Sequence, residues 1–289
     1  MFPSSFDYLA AHSVEEALAA KREGGDEVRF LAGGQSLIPM MKTRLAAPAK
    51  LVDINGIPGL DALERADRHL RVGALVRHAD LEHSDLTFGA VRTAAPWISD
   101  PLVRNRGTLC GSVAHCDPEG DWNSVLLATG ADVIARGSDG DRSIPITEFV
   151  VDFFTNALAD DEMVTEVHIP VPSGRAGGSY QKLERKVGDY ATVAVAAHLE
   201  LADDGTIARA GLALTAVNPV NTKVVAADSM LVGQQPGTEL FSAAAEVAAQ
   251  AAEPRDDVRG SAAWKRNVVR VFTRRALVAA ALEAGAAVE

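Results

Sequence analysis

The stretch from Ala32 to Leu37 contains the residue types that bind phosphate groups through the backbone. It reads Ala-Gly-Gly-Gln-Ser-Leu and follows a short apolar run, Val28–Ala32, that predicts a strand. Adjacent glycines allow positive φ and close approach by a ligand, and consecutive exposed N–H groups can form an anion-binding nest. The stretch is neither a Walker loop nor a GxGxxG turn. It therefore predicts either a pyrophosphate-binding turn or an ordinary strand-to-helix turn.

A second stretch, residues 103–121, concentrates small residues, hydroxyls, one imidazole and several carboxylates. Its potential metal ligands are Cys110, His115, Cys116 and Asp117. Their spacing matches no usual zinc pattern, and a Cys–His nucleophilic pair would lack an identifiable third residue to orient the histidine. A second backbone cradle fits the composition better, with Thr108 and Ser112 as donors and Asp121 as acceptor for a sugar hydroxyl.

A third stretch, Tyr180–Ala191, alternates apolar and charged residues, which predicts a strand with one solvated face. Lys186 and Tyr190 bracket a Gly-Asp turn at its end. The charges are typical of an exposed surface, but a cation and an aromatic ring in these positions could also contact a flavin.

Composition limits the function classes that remain. The 289 residues carry a formal net charge of -11, and an acidic chain is a poor candidate for binding nucleic acid through its phosphates or for docking on an anionic membrane. The two cysteines are too few for a disulfide scaffold or an iron–sulfur cluster. With no signal-peptide pattern and no apolar run of about 18 residues, we expect a soluble cytoplasmic protein without a transmembrane segment.

Hydrophobic periodicity and turn residues by themselves predict an α/β protein with two domains. The predicted helices are residues 13–23, with Ser13 and Glu16 as a capping box, and residues 78–83, 88–98, 239–252 and 261–284. The predicted strands are residues 28–32, 50–54, 70–76, 132–136, 142–145, 162–170, 179–186, 191–201 and 208–217. The linker Pro170–Gly178 separates a first domain, residues 1–175, from a C-terminal domain, residues 176–289. The first domain divides further into subdomains of about 1–55 and 56–175.

Together the three stretches resemble one family. AGGQSLIPMMKTRLAAPAKLVDI, VRNRGTLCGSVAHCDPEGD and YQKLERKVGDYA are similar to the FAD-binding medium subunits of the xanthine oxidase, or molybdenum hydroxylase, family. The nearest resemblance is to the medium subunits of carbon monoxide dehydrogenase and of nicotine and quinoline dehydrogenases. It covers nearly the whole chain, in the expected order and spacing.

This resemblance implies the α+β class, with a vanillyl-alcohol-oxidase-type (PCMH-like) FAD-binding domain of two α/β subdomains. A C-terminal domain of a three-stranded antiparallel sheet with helices would close over the flavin. The residues that the resemblance assigns to FAD are Ala32, Gly33, Gly34, Gln35, Ser36, Leu37, Val103, Thr108, Gly111, Ser112, His115, Asp121, Val164, Lys186 and Tyr190. Ala32 to Leu37 would wrap the pyrophosphate, Lys186 would contact the flavin or ribityl region, and Tyr190 would lie near the isoalloxazine.

The resemblance also implies partners and a task. A large molybdopterin-binding subunit would oxidise substrate and a small subunit would carry two [2Fe–2S] clusters, in a heterotrimer that dimerises. Electrons would reach FAD in this chain and leave to an external acceptor, with no catalytic acid or base and no metal in the chain itself.

Two departures from the family pattern keep alternatives open. Relatives usually have Gly-Gly where this chain has Cys110-Gly111, and a cysteine resists positive φ. If that position needs the glycine conformation, FAD binds less tightly; ordinary β geometry would make Cys110 harmless. Glu119 is expected to point away from the pyrophosphate. The remaining alternatives are a stand-alone FAD-dependent reductase of the same superfamily and a scaffold subunit that has lost FAD.

Overall fold

A computed structural model describes residues 2–288. Its first unit is a parallel three-stranded sheet in the order β1-β3-β2, flanked by two helices. The elements are β1 (Asp7–Ala10), α1 (Val14–Gly24), β2 (Val28–Leu31), α2 (Leu37–Thr43) and β3 (Lys50–Asp53). As predicted, the Ser13 hydroxyl caps α1 by accepting from the Glu16 N–H at 3.1 Å. The capping box is incomplete, because the Glu16 carboxylate accepts from the N–H of His12 and not of Ser13.

The second unit is built on an antiparallel five-stranded sheet in the order β4-β5-β10-β6-β7. Its strands are β4 (Leu63–Ala66), β5 (His69–Gly73), β6 (Asp132–Gly137), β7 (Gly140–Pro145), β10 (Met163–Pro170) and the separate hairpin β8 (Val150–Asp152) with β9 (Thr155–Asn156). Its helices are α3 (His78–His83), α4 (Gly89–Ala94), α5 (Pro101–Arg104), α6 (Leu109–His115), α7 (Asp121–Thr129) and α8 (Ile146–Phe149).

The third unit is an antiparallel sheet in the order β11-β12-β13-β14 covered by three helices. Its elements are β11 (Ala176–Leu183), β12 (Val193–Leu201), β13 (Ile207–Thr215), β14 (Thr222–Lys223), α9 (Val225–Leu231), α10 (Thr238–Ala251) and α11 (Ala262–Glu283). The prediction of three strands was wrong, since β14 adds a fourth. A strand of two residues is too short to show an alternating pattern, so the sequence does not reveal it.

The central strand β12 is buried on both faces. Val193, Val195 and Leu199 belong to the core beneath the C-terminal helices, whereas Ala194 and Ala196 belong to the core of the second unit. The small alanine side chains let α7 pack closely against this face. One sheet face therefore joins the two units into a continuous hydrophobic interior.

The interdomain linker is shorter than predicted, because β11 begins at Ala176 and not at Ser179. Gly177 and Gly178 read as linker residues but lie in the strand. A Cβ at Gly177 would lie 2.1 Å from the carbonyl oxygen of Ala280, and a Cβ at Gly178 would lie 2.6 Å from the nitrogen of Ala90. The glycines let two helices pack directly against the strand. The predicted boundary at residue 175 stays a prediction, although β10 and β11 belong to different sheets.

Helix α7 was not predicted, for a physical reason. All nine of its residues are buried, so its sequence lacks the polar face that identifies an amphipathic helix. Among residues 2–288, no helix is long and apolar enough to cross a membrane.

Candidate functional site

A cleft of about 990 Å³ opens where the three units meet. Such a volume lies at the upper end of the range for small-molecule sites, roughly 300–1,000 Å³. The cleft is bounded by the loop 32–37, the stretch 103–121, the hairpin that contains Phe154 and Asn156, and the β11–β12 loop. Several loops separated in the sequence thus face one another across one space.

The loop 32–37 places two glycines under different constraints. A Cβ at Gly33 would lie only 2.2 Å from the carbonyl oxygen of Arg106, so this glycine allows the two loops to touch. Gly34 has a φ of 74°, a left-handed conformation that favours glycine. Within residues 2–288, the N–H groups from Gly33 to Ser36 donate to no protein acceptor. Four consecutive donors are therefore left for a ligand.

Arg77 and Asn55 hold these two loops together from behind. The Arg77 guanidinium donates to the carbonyl oxygen of Arg106 at 2.7 Å and to the Asn55 side-chain oxygen at 2.5 Å. Asn55 in turn donates to the carbonyl oxygen of Ala32 at 2.9 Å. Burial lowers the pKa of Arg77, but it remains a cation near neutral pH. This network positions both loops before any ligand arrives.

Helix α6 begins at the cleft with Thr108 as its N-cap. The Thr108 hydroxyl accepts from the Gly111 N–H at 3.1 Å, and a Cβ at Gly111 would lie 2.7 Å from that hydroxyl oxygen. Cys110 lies inside the helix, so it has neither the left-handed conformation nor the β geometry considered from the sequence. Its buried thiol donates to the Val72 carbonyl oxygen at 3.5 Å, and burial raises the pKa of this thiol well above its usual range.

His115 ends α6 and faces the cleft beside an aromatic ring. Its imidazole centroid lies 4.9 Å from that of Phe154. Burial lowers the pKa of His115, although the charge of Asp117 opposes the change. The imidazole is therefore neutral at pH 7 and can both donate and accept a hydrogen bond.

Asp121 lies at the cleft wall but is already engaged by the C-terminal domain. Its two carboxylate oxygens accept from the Tyr180 hydroxyl at 2.5 Å and from the Lys182 ammonium at 3.0 Å. Lys182 also donates to the carbonyl oxygen of Trp97 at 2.9 Å. Burial raises the pKa of Asp121, and the charge of Lys182 opposes the rise.

The β11–β12 loop brings Tyr190 to the cleft but not Lys186. Gly188, with a φ of 88°, turns the loop, and its carbonyl oxygen accepts from the Ser99 hydroxyl at 3.2 Å. Burial, followed by the charges of nearby carboxylates such as Asp117, raises the pKa of Tyr190 to about 12, so it is a neutral phenol. Lys186 is exposed and lies outside the cleft lining. Lys186 lies beyond the end of β11 at Leu183, and its contact with the cofactor stays a prediction.

The other residues assigned by resemblance all line the cleft. They are Ala32, Gly33, Gly34, Gln35, Ser36, Leu37, Val103, Thr108, Gly111, Ser112, His115, Asp121, Val164 and Tyr190. Their individual contacts with a cofactor stay predictions. The expected outward direction of Glu119 agrees with its ion pair with Arg259 at 2.9 Å.

The cleft lining includes polar side chains that sequence reasoning did not select, among them the buried His78 and Lys182. Lys182 stood in the third stretch, but strand alternation places Lys182 and Lys186 on the same face, and only the end of β11 at Leu183 separates them. No neighbouring residue indicated that His78 contributes to a ligand site, because it begins an ordinary predicted helix. It lies 25 residues or more before the second stretch, residues 103–121. Among the described residues, no group of three or more His, Cys, Asp or Glu side chains could hold a metal ion.

Three units thus surround one cleft that is large enough for a small-molecule cofactor. A family model described as the FAD-binding domain in molybdopterin dehydrogenase matches residues 4–172. A second, described as the CO dehydrogenase flavoprotein C-terminal domain, matches residues 178–280. The chain belongs to this family of FAD-binding medium subunits of molybdenum-containing oxidoreductases.

Individual relatives match nearly the whole length of this chain. The 6-hydroxypseudooxynicotine dehydrogenase complex subunit alpha of Paenarthrobacter nicotinovorans is 36% identical over 97% of this chain and 96% of its own. The carbon monoxide dehydrogenase medium chain of Hydrogenophaga pseudoflava is 35% identical over 97% and 98%. A solved structure of carbon monoxide dehydrogenase from that organism has a TM-score of 0.94, covering 98% of this chain and 99% of its own at 36% identity. Quinoline 2-oxidoreductase from Pseudomonas putida gives a TM-score of 0.88 at 31% identity, covering 98% and 99%.

Proposed function

We propose that this chain holds FAD in the cleft and passes electrons from [2Fe–2S] clusters of a small partner subunit to an external acceptor. A large molybdopterin-binding subunit would complete a heterotrimer that dimerises, and would itself oxidise the substrate. The names of the related proteins, which are subunits and chains of dehydrogenase complexes, support this arrangement. FAD supplies the redox chemistry, and the chain binds and orients it.

The observation that carries the proposal is the paired-loop cradle at Gly33. Four backbone N–H groups without protein acceptors lie where the loop 32–37 touches Arg106, and the Arg77 cation lies behind the junction. These features fit a pyrophosphate, which needs several donors and a positive local potential. We therefore assign the pyrophosphate to the Gly33 junction.

The flavin end is assigned to the side of the cleft that contains Tyr190. Tyr190 is half-exposed, which fits an aromatic ring that packs against a flavin while one edge stays accessible. Asp121 could accept from a sugar hydroxyl only in addition to the bonds from Tyr180 and Lys182. The sheets on either side of the cleft support the vanillyl-alcohol-oxidase-type arrangement of the two α/β subdomains.

Two observations weigh against the alternatives. The relatives are a subunit of a dehydrogenase complex and a medium chain of a dehydrogenase, and neither is named as a stand-alone reductase. The scaffold alternative rested on Cys110, whose helical backbone removes the conflict with a glycine-only conformation.

The test is to purify the chain, with an affinity tag, from the organism that produces it. We expect one FAD per chain by absorbance, together with a molybdenum-containing large chain and a small chain that shows [2Fe–2S] signals in electron paramagnetic resonance. A chain that purifies alone and oxidises NADPH would contradict the proposal. A complex that forms without flavin, even after FAD is added, would contradict the assignment of the cleft.

A further inference from the structure

His78 is a buried polar side chain that has no assigned role in the proposed FAD site. It is only 4% exposed, yet it contributes to the lining of the cleft. The chain places it at the first position of α3, directly behind the second glycine-containing loop. Its backbone N–H donates to the carbonyl oxygen of Gly107 at 3.0 Å.

One side of the imidazole is held by the protein core. The indole Nε1 of Trp122 donates to His78 Nδ1 at 3.1 Å. An indole nitrogen can only donate, so Nδ1 must be the acceptor. Trp122 is fully buried, and this hydrogen bond therefore forms away from solvent. Because Nδ1 carries no proton, the neutral imidazole has its proton on Nε2.

The charge state of the ring supports the same assignment. Burial, with the charges of Arg104 and Arg77, lowers the pKa of His78 to about 3. The imidazole is therefore neutral at physiological pH, with Nε2–H as its single ring donor.

The other side of the ring faces the junction of the two loops. A Cβ at Gly107 would lie 2.8 Å from both Cδ2 and Nε2 of His78, so the missing side chain leaves this edge uncovered. Within residues 2–288, Nε2 has no hydrogen-bond partner, and it is open to the cleft, not sealed in the core. This donor therefore faces the cleft, where it is available to an acceptor on a bound ligand.

We infer that His78 is a cofactor-binding residue whose Nε2–H, oriented by Trp122, donates to an oxygen of the bound dinucleotide beside Gly107. The acceptor belongs to the pyrophosphate or to the adjoining ribityl chain, since Gly107 follows Arg106, the residue that touches Gly33. A neutral donor suits this place, because Arg77 already supplies positive charge behind the same loops. The inference rests on the proposed FAD site.

Two substitutions separate the two nitrogens of the ring. In His78→Asn the amide oxygen can replace Nδ1 as the acceptor for Trp122, while the donor toward the cleft is lost. In His78→Gln the amide nitrogen reaches the position of Nε2 and keeps that donor. The experiment strips flavin from the purified native complex and titrates wild type and both variants with FAD, and separately with ADP, by fluorescence or calorimetry.

We expect His78→Asn to weaken FAD binding by about tenfold or more, as for one lost hydrogen bond to a charged or strongly polar acceptor, and His78→Gln to stay closer to wild type. Weaker ADP binding by His78→Asn would place the acceptor on the pyrophosphate, and unchanged ADP binding would place it on the ribityl chain. Equal FAD affinity of His78→Asn and wild type would overturn the inference, as would equal weakening in both variants. Failure of the wild-type complex to bind FAD would instead contradict the proposed function.

A measurement on the unmodified protein covers the case in which the variants do not fold. Nitrogen-15 NMR of the histidine rings reports which nitrogen carries the proton. We expect His78 to be the Nε2–H tautomer and its Nε2 proton signal to shift when FAD is added. A proton on Nδ1, or an Nε2 signal that FAD leaves unchanged, would overturn the inference.

Discussion

At the scale of single residues, adjacent glycines in the loop 32–37 meet different physical demands. Gly33 is needed because another backbone passes too close for a side chain, whereas Gly34 is needed for its positive φ. The first demand cannot be relieved by a rotamer change, since the obstacle is the carbonyl group of Arg106. The second costs about 1–2 kcal/mol for a residue with a Cβ.

We therefore expect Gly33→Ala and Gly34→Ala to differ. Gly33→Ala must separate the two loops and should abolish FAD retention, whereas Gly34→Ala should lower stability by about 1–2 kcal/mol and retain part of the flavin. Flavin absorbance per chain and urea unfolding measure the two effects. Gly174→Ala and Gly59→Ala are the matched controls, because a Cβ would meet nothing within 4 Å at either site and Gly59 has a φ of 83°. Full FAD occupancy in Gly33→Ala would show that the loops do not need their close contact.

Cys110 is a second residue whose role follows from its surroundings. Its helical backbone gains nothing from glycine, and glycine inside a helix costs about 0.5–1 kcal/mol relative to alanine. Cys110→Gly, which restores the Gly-Gly of relatives, should therefore lower the midpoint of thermal unfolding and leave FAD affinity unchanged. Cys110→Ala is the control for loss of the thiol. Tighter FAD binding by Cys110→Gly would mean that the helical start of α6 changes when the cofactor binds.

At the scale of elements, the end of α7 is fixed by a strand of the other domain. Arg209 on β13 donates to the carbonyl oxygen of Thr129 in the last turn of α7 at 2.6 Å, which satisfies a terminal helix carbonyl. The same guanidinium donates to Glu200 at 2.8 Å. The helix ends at Thr129, and a Cβ at the next residue, Gly130, would lie 2.5 Å from the guanidinium. The C-terminal end of α7 and strand β13 thus stabilise each other.

This anchor predicts a pH-dependent effect of Glu200→Gln. Hydrogen bonds from His198 and then Arg209 lower the pKa of Glu200 to about 2. A carboxylate whose pKa is lowered by folding stabilises the native state above its unfolded pKa, and this stabilisation is lost as the pH falls through the folded pKa. Glu200→Gln should therefore be less stable than wild type at pH 6–7, and the difference should shrink as the pH approaches 2.

Urea unfolding across this pH range measures the difference. Asp203→Asn, an exposed carboxylate near the turn of the same β12–β13 hairpin, is the control and should track wild type throughout. A difference for Glu200→Gln that is equally large at every pH would contradict the ion-pair explanation.

At the scale of the whole molecule, buried polar residues connect the FAD-binding domain with the C-terminal domain. Asp121 comes from α7, and Tyr180 and Lys182 come from β11. The Lys182 side chain is 1% exposed and that of Asp121 is 8% exposed. Burial, then the charge of Asp121, raises the pKa of Tyr180 well above its usual value, so it remains a donor. A second, partly buried carboxylate, that of Glu184, lies 3.6 Å from the Lys182 ammonium.

Replacing Lys182 alone should therefore lower the free energy of unfolding more than replacing Lys182 and Asp121 together. Lys182→Met leaves Asp121 without its compensating charge and should lower the free energy of unfolding by about 3–5 kcal/mol. The double variant Asp121→Asn with Lys182→Met should lose less than the sum of the single changes. Lys186→Met, at an exposed lysine outside the cleft, is the control for loss of a charge. Additive effects of the two single changes would show that the pair does not interact.

The loss of stability in Lys182→Met should depend on pH. Burial already raises the pKa of Asp121, and Lys182 opposes that rise, so Lys182→Met should raise it further. A carboxylate whose folded pKa is raised favours the native state more as the pH falls toward its unfolded value. The deficit of Lys182→Met relative to wild type should therefore be smaller at pH 5 than at pH 8 in thermal unfolding.

Local patterns in the sequence were sufficient for elements with one buried and one solvated face. The cap at Ser13, the hairpin of β6 and β7 and the long helix α11 all carry their signals within a few neighbouring residues. The same patterns fail for α7, which is buried on every side, and for β14, which is too short. Gly177 and Gly178 were misread because glycine predicts a loop, and only the packing of helices α4 and α11 explains glycines in a strand.

The sequence by itself determined the mixture of α and β elements, the glycine loop at 33–34 and the shortage of cysteines for an iron–sulfur cluster. Through family resemblance it also indicated the α+β class and FAD. Tertiary structure alone decided which side chains share the cleft. Lys186 lies outside the cleft lining, and Lys182 forms an ion pair with Asp121. His78, at the start of a helix distant in sequence, lines the cleft. The physical reason is that the direction of a side chain depends on where its strand ends and on how its helix packs. Both depend on contacts with distant residues, which a short sequence motif does not contain.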